Sequence, residues 1–125
     1  MRPQTLAEVA RQTEAGESFD FVLRNFLEEF QAQPELGRLI EEPARLAGVV
    51  ADGERHDAFL AATAETLAET HGLDVPAWAW AEGRKLRRPW FALPWPGLRA
   101  ILLLESPAAF RSRNLFVSAN ALDRA

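Results

Sequence analysis

Ser18-Phe19-Asp20-Phe21-Val22-Leu23-Arg24-Asn25-Phe26-Leu27-Glu28-Glu29-Phe30 is the stretch that decides the fold class. Phe19, Val22, Leu23, Phe26, Leu27 and Phe30 recur at the i, i+3, i+4, i+7 spacing of one helix face. Ser18 stands where an N-cap hydroxyl is needed. Phe21 falls off the stripe, and is either a second buried contact or an aromatic turned toward a partner.

Working outward, the same signals recur. Thr5-Leu6-Ala7-Glu8 fits a capping box, opening a helix with Leu6, Val9 and Ala10 on one side that stops near Gly16. Pro34 suits the first turn of a short helix through Leu36, Leu39 and Ile40, which Pro43 ends. Asp52 is placed to cap a long helix from about Gly53 to His71, with Phe59, Leu60, Thr63, Leu67 and Ala68 inward and Gly72 at the left-handed C-terminal position. Beyond Val75 the style changes. Pro76, Pro89, Pro94, Pro96, Trp78, Trp80, Trp90 and Trp95 crowd into about twenty residues. A helical turn over Pro76 to Glu82 is predicted, then an irregular segment from Gly83 to Trp95. Pro96 starts a helix containing Leu98, Ile101, Leu102 and Leu103, whose all-round apolarity predicts burial. Ser106-Pro107 reads as an N-cap and first-turn pair, Leu115-Phe116-Val117 as extended or connecting, and Ser118 as the cap of a last helical turn. The expectation is an all-α fold: a single compact domain, residues 1–125, of five to seven helices with an irregular Pro/Trp-rich segment.

At 125 residues, 48% apolar and 26% charged, the chain suits one globular domain and not a disordered one. No uncharged apolar stretch, Ala100 to Leu104 included, approaches a bilayer span. No apolar secretion core follows Met1, so a cytoplasmic protein that does not engage membranes is expected. With no cysteine there are no disulfides, thiolate metal sites or cysteine nucleophiles.

The net charge of −4 conceals a division. Residues 1–75 hold six Arg against fifteen Asp or Glu, a balance of −9; residues 76–125 hold eight Lys or Arg against three Asp or Glu, a balance of +5. Either the halves attract each other within one fold, or the basic half meets an anionic partner. Thirteen of the fourteen cations are Arg, a bias from which no function follows.

No catalytic set emerges. His56 and His71, fifteen positions apart on one predicted helix, would stand about 22 Å apart along its axis, too far to share a metal. Ser106 has no nucleophile-elbow setting. Glu28-Glu29 and Glu41-Glu42 point about 100° apart on a helix and read as solvated faces. No phosphate loop, dinucleotide fingerprint or metal pattern is present, so no cofactor is expected. The chemistry lies in the Arg/Trp segment instead. Arg84, Lys85, Arg87, Arg88, Trp90, Arg111 and Arg113 can meet phosphates while bases stack on rings. The same residues can equally lock a loop, with Arg on Trp faces and on carboxylates of the first half.

The runs Pro76-Ala77-Trp78, Arg88-Pro89-Trp90-Phe91, Glu105-Ser106-Pro107 and Phe110-Arg111-Ser112-Arg113-Asn114-Leu115-Phe116-Val117 resemble a group of small, uncharacterised bacterial helical proteins. The ending is also similar to the C-terminal part of longer bacterial proteins that begin with a helix-turn-helix DNA-binding domain. The resemblance implies a regulatory or antitoxin-like component, some of its relatives pairing with a nucleotidyltransferase-like toxin. It supplies no catalytic residue. Thr5 to Phe30 does not give two short helices around a tight turn, so operator reading is not expected. The resulting expectation is a non-enzymatic interaction protein. Its contact would be formed by Asp20, Glu28, Glu29, Glu41 and Glu42, by the Arg/Trp segment, or by Phe21, with another protein or a second copy as partner. Nucleic-acid binding through residues 84–113 is the alternative, and an enzyme without a recognisable motif the third reading.

Overall fold

In the computed structural model, which describes residues 1–93 and 95–122, helix accounts for about half of the chain. Helix α1 spans Leu6–Glu14 and α2 Phe19–Ala32. Thr5 Oγ1 accepts from the Glu8 N–H at 3.1 Å. Glu8 returns the bond one residue early, to the Gln4 N–H rather than that of Thr5. Ser18 caps α2 by accepting from the Phe21 N–H. All six stripe residues of α2 are buried and pack with Leu6, Val9 and Ala10 of α1, while Phe21 is 53% exposed.

The expected helix after Pro34 is only a 3-10 turn, Leu36–Arg38. From it Leu39 enters the core, whereas Ile40 is exposed. Helix α3, Gly53–Thr70, runs through the middle of the molecule. Leu60, Ala61, Ala64, Leu67 and Ala68 join the cluster that holds the buried residues of α1 and α2 together with Leu39, Leu46 and Trp78. Ala58 and Ala62 face a second cluster formed by Ala109, Phe110, Leu115 and Val117. Burying two sides of one helix works because the added positions are Ala, which lets neighbours approach closely without a volume cost. Asp52 takes the N-cap position in a left-handed conformation (φ 60°) but forms no cap hydrogen bond; its carboxylate pairs with Arg55 at 3.2 Å. Gly53 is required at the next position. A Cβ there would sit 1.9 Å from the Leu46 carbonyl oxygen.

After a 3-10 turn at Ala77–Trp80, the Pro/Trp-rich segment departs from the expected fold. Trp90–Phe91 forms strand β1, which pairs in parallel with β2, Leu115–Phe116. The Trp90 and Ala92 N–H groups donate to the Asn114 and Phe116 carbonyls at 2.9 Å each, and Phe91 stacks on Phe116 at 5.0 Å. The class is therefore mostly helical rather than purely α. Two-residue strands are too short to show alternation, and their partners lie 25 positions apart in sequence.

Between the strands lie α4, Arg99–Glu105, and α5, Ala108–Arg111. The predicted burial of α4 fails: Leu102 is its only buried residue, and Ile101, Leu103 and Leu104 face outward. Ser106 does not cap α5 either, since Pro107 holds that position. The buried Ser106 hydroxyl instead accepts from the Val117 N–H at 2.7 Å and lies 2.8 and 2.9 Å from the Leu102 and Val117 carbonyls, fastening α4 to β2. With a single proton it donates to one of those carbonyls at a time. Residues 119–122 form turns rather than a helix, with Ser118 Oγ bonded to Asn120; the remainder of that expected element lies outside the described residues.

Candidate interaction surface

The seven residues singled out in the Arg/Trp segment divide into two sets. Arg84 and Arg113 are interior. The Arg84 side chain is fully buried, with Nη2 donating to the Pro43 carbonyl at 2.6 Å and to Glu42 at 3.2 Å, and Nη1 standing 3.5 Å from Asp57. Its guanidinium lies 5.0 Å from the Trp78 ring centre. Nε and Nη1 have no hydrogen-bond partner, and burial pulls the guanidinium below its ordinary pKa, against the hydrogen bond it donates to Glu42. Arg113 donates to Glu65 at 2.6 Å and to the Ala109 and Ala79 carbonyls at 2.7 and 2.9 Å, with Trp80 beneath it. Both arginines join the two halves of the chain, and neither is presented to a partner.

Asp57, which sequence reasoning missed, completes the first of these nodes. Its fully buried carboxylate accepts from the Leu46 and Ala47 N–H groups at 2.8 and 3.1 Å, tying the loop before α3 to that helix. The available signal was its row on α3. Gly53, Asp57, Ala61 and Ala64 follow a helical repeat, and a lone carboxylate in such a row needs a buried counter-ion.

Lys85, Arg87, Arg88 and Arg111 are exposed, and Trp90 is half-buried with the Arg55 guanidinium 4.6 Å from its ring centre. Among the described residues Lys85, Arg87 and Arg88 have no carboxylate within ion-pair distance. Lys85 and Arg87 line a cleft of ≈ 380 Å³ with Arg45 and Glu54, and Arg88 lines a neighbouring one of ≈ 460 Å³ with Arg55, Asp52 and Trp90. Arg111 points away, to the Ser106 carbonyl at 3.0 Å. The acidic candidates are engaged by arginines: Arg2 pairs with Glu28 and Glu29, Arg11 with Glu41, and Arg84 with Glu42. Asp20 is exposed beside Phe21. His56 stacks on Phe19 at 4.1 Å, and His71 meets the edge of Phe30. No group of three His, Asp or Glu among the described residues is placed to hold a metal. Among the described residues no helix is long and apolar enough to cross a membrane.

One exposed apolar segment is one that the sequence reading had assigned to the core. Leu104 is 84% exposed, Ile101 48% and Leu103 46%, and Trp95 (62%) and Leu93 (37%) lie just before the helix. The chain matches no protein-family model, no curated protein sequence and no solved structure.

Proposed function

We propose that this protein is an interaction module whose docking surface is the outward side of α4. The observation that carries this reading is a run of three exposed large aliphatic residues on one short helix. Isolated exposed leucines are ordinary, but several exposed large apolar side chains close together in one segment mark a place where another surface binds. The regulatory, antitoxin-like role implied by the resemblance would act through the same surface, and a toxin-like enzyme is one candidate partner. Phe21 and the acidic residues of α2 lie on a different element from this patch.

A photo-crosslinking amino acid placed at Leu104 in living cells tests the reading, with Arg24 on exposed α2 surface as the control site. Discrete adducts from position 104 and none from position 24 are expected. Their absence at 104 refutes the docking role.

The nucleic-acid reading keeps one specific support, the exposed Lys85, Arg87 and Arg88 around two clefts that also hold Arg45, Arg55 and Trp90. It has lost Arg84 and Arg113 to the interior. Retardation of single-stranded RNA at about 50 mM salt that disappears in Arg87→Ala/Arg88→Ala would support it, and no shift there ends it.

A further inference from the structure

We propose that α4 packs antiparallel against α4 of a second copy of this chain, about a two-fold axis passing between Ala100 and Ile101. The proposal rests on the docking role of α4 argued above and names its partner.

The helix is attached to its own chain by buried Leu102 and half-buried Leu98. At about 100° per residue, Arg99 and Glu105 lie roughly 60° to either side of that inward direction. Both are drawn back to their own chain. The Arg99 guanidinium stands 5.0 Å from the Phe91 ring centre, and the Glu105 carboxylate accepts from the Ala119 N–H at 3.3 Å. Ile101, Leu104, Ala100 and Leu103 fill the outward arc of about 160° that remains, and it contains no charge and no side-chain hydrogen-bonding group. Such an arc selects an apolar partner. A lipid surface is a poor fit, because interfacial helices carry several cations beside the apolar face and α4 has only Arg99.

Size and register favour a second copy. With Leu93 and Trp95 just before the helix, the exposed parts of Ile101, Leu103 and Leu104 come to roughly 600 Å², so covering all of it on two copies would remove at most about 1,200 Å², the lower end of specific dimers. An isologous contact requires a surface to complement itself. With the axis between Ala100 and Ile101, Leu104 lies opposite Gly97 of the partner subunit, and Ile101 opposite Ala100 of the partner subunit. Both pairs set a large side chain against a small one, and one axis satisfies both. A parallel arrangement would place Leu104 against its own equivalent and leave a void at the paired Gly97 end.

Sedimentation of the full chain from about 1 to 200 μM is the first measurement, a range matched to an interface of this modest area. A mass rising toward twice the protomer is expected. Leu104→Glu, at a site already 84% exposed, should fold normally and weaken association roughly a hundredfold, because each dimer loses two buried leucines. Gly97 has no atom within 4 Å of where a Cβ would stand, so Gly97→Leu is tolerated by the protomer yet collides with Leu104 across the axis. Gly97→Leu combined with Leu104→Ala restores the large-against-small pairing and should recover association. A protein monomeric throughout the range overturns the proposal, as does a dimer indifferent to these variants. A monomer whose position-104 crosslinker captures a different protein, or lipid, refutes the second copy and leaves the docking role of α4 standing. No adduct at all refutes both.

Discussion

Removing the Asp57 carboxylate should be the most destructive single change in the interior, and the Arg84 node shows why. Asp57→Ala leaves the Leu46 and Ala47 N–H groups without their acceptor and leaves Arg84 buried beside fewer negative charges. An unsatisfied buried donor costs about 1–3 kcal/mol and breaking a buried charge pair about 3–5 kcal/mol; the two overlap here, so about 4 kcal/mol is expected. That is a large part of a typical stability on the order of 5–15 kcal/mol. Arg84→Met should be milder. Methionine fills the volume of the stem, the unbonded Nε and Nη1 disappear, Asp57 keeps both backbone donors, and half-exposed Glu42 returns to water. The Pro43 carbonyl is left without its donor and the buried Asp57 carboxylate without its counter-ion, but the two backbone donors to Asp57 remain, which places the cost at about 3 kcal/mol. In the double variant no unpaired buried charge remains, so it should be less unstable than the sum of the singles by about 1–2 kcal/mol. Urea unfolding followed by tryptophan fluorescence and far-ultraviolet dichroism measures all three, with Trp78 5.0 Å from the altered guanidinium as reporter. Equal costs for the two single variants, or strict additivity, would refute the reasoning.

Gly53→Ala should destabilise by about 3 kcal/mol or more, measured in the same titration, because the new methyl meets a backbone carbonyl that cannot swing aside. Ser106→Ala should cost about 2 kcal/mol by stranding the Val117 N–H, with protection of that amide lost in hydrogen exchange. His56 is held below its ordinary pKa of 6.5, first by burial and then by Arg55, so the folded protein resists its protonation more than the unfolded chain does. Stability should therefore fall as the pH drops through and below about 6.5, and His56→Phe should flatten that slope between about pH 7.5 and 5.5. An unchanged slope would show that His56 is not its source.

How far the sequence could be read depended on how each element is covered. The α2 stripe was fully legible because one side faces the core and the other water, which a 3.6-residue repeat records directly. On α3 the repeat blurs, since Ala58 and Ala62 serve a second cluster and alanine adds almost no contrast to the pattern. Leu115-Phe116 read as extended or connecting, and it is β2, but β1 and the pairing left no trace, because two residues cannot alternate and the pairing depends on Asn114 adopting a left-handed conformation (φ 63°) between α5 and β2. For α4 the hydropathy was read correctly and its consequence wrongly. Apolar residues all round a helix say that water is unfavourable on every side, not that the same chain supplies the cover. Within the interaction set, the sequence left open whether the arginines lock a loop or meet a partner, and the structure places two of them, Arg84 and Arg113, in the interior. Arg84 and Arg113 sit over Trp78 and Trp80, while Lys85, Arg87 and Arg88 do not.

The division between a −9 and a +5 half therefore has two physical meanings at once. Part of it is internal attraction, with Arg84 against Glu42 and Asp57 and Arg113 against Glu65, each pair crossing from one half to the other. The remainder is a set of exposed cations around open clefts, separate from the uncharged outward arc of α4. These two surfaces respond oppositely to salt. Association through aliphatic side chains is not screened and is strengthened by excluded salts such as sulfate, whereas phosphate contacts weaken linearly in the logarithm of salt concentration. The sign of the salt dependence of any partner's affinity thus identifies the surface it uses. Binding that persists at high salt and is lost in Leu104→Glu belongs to α4, and binding that vanishes with salt and with Arg87→Ala/Arg88→Ala belongs to the clefts.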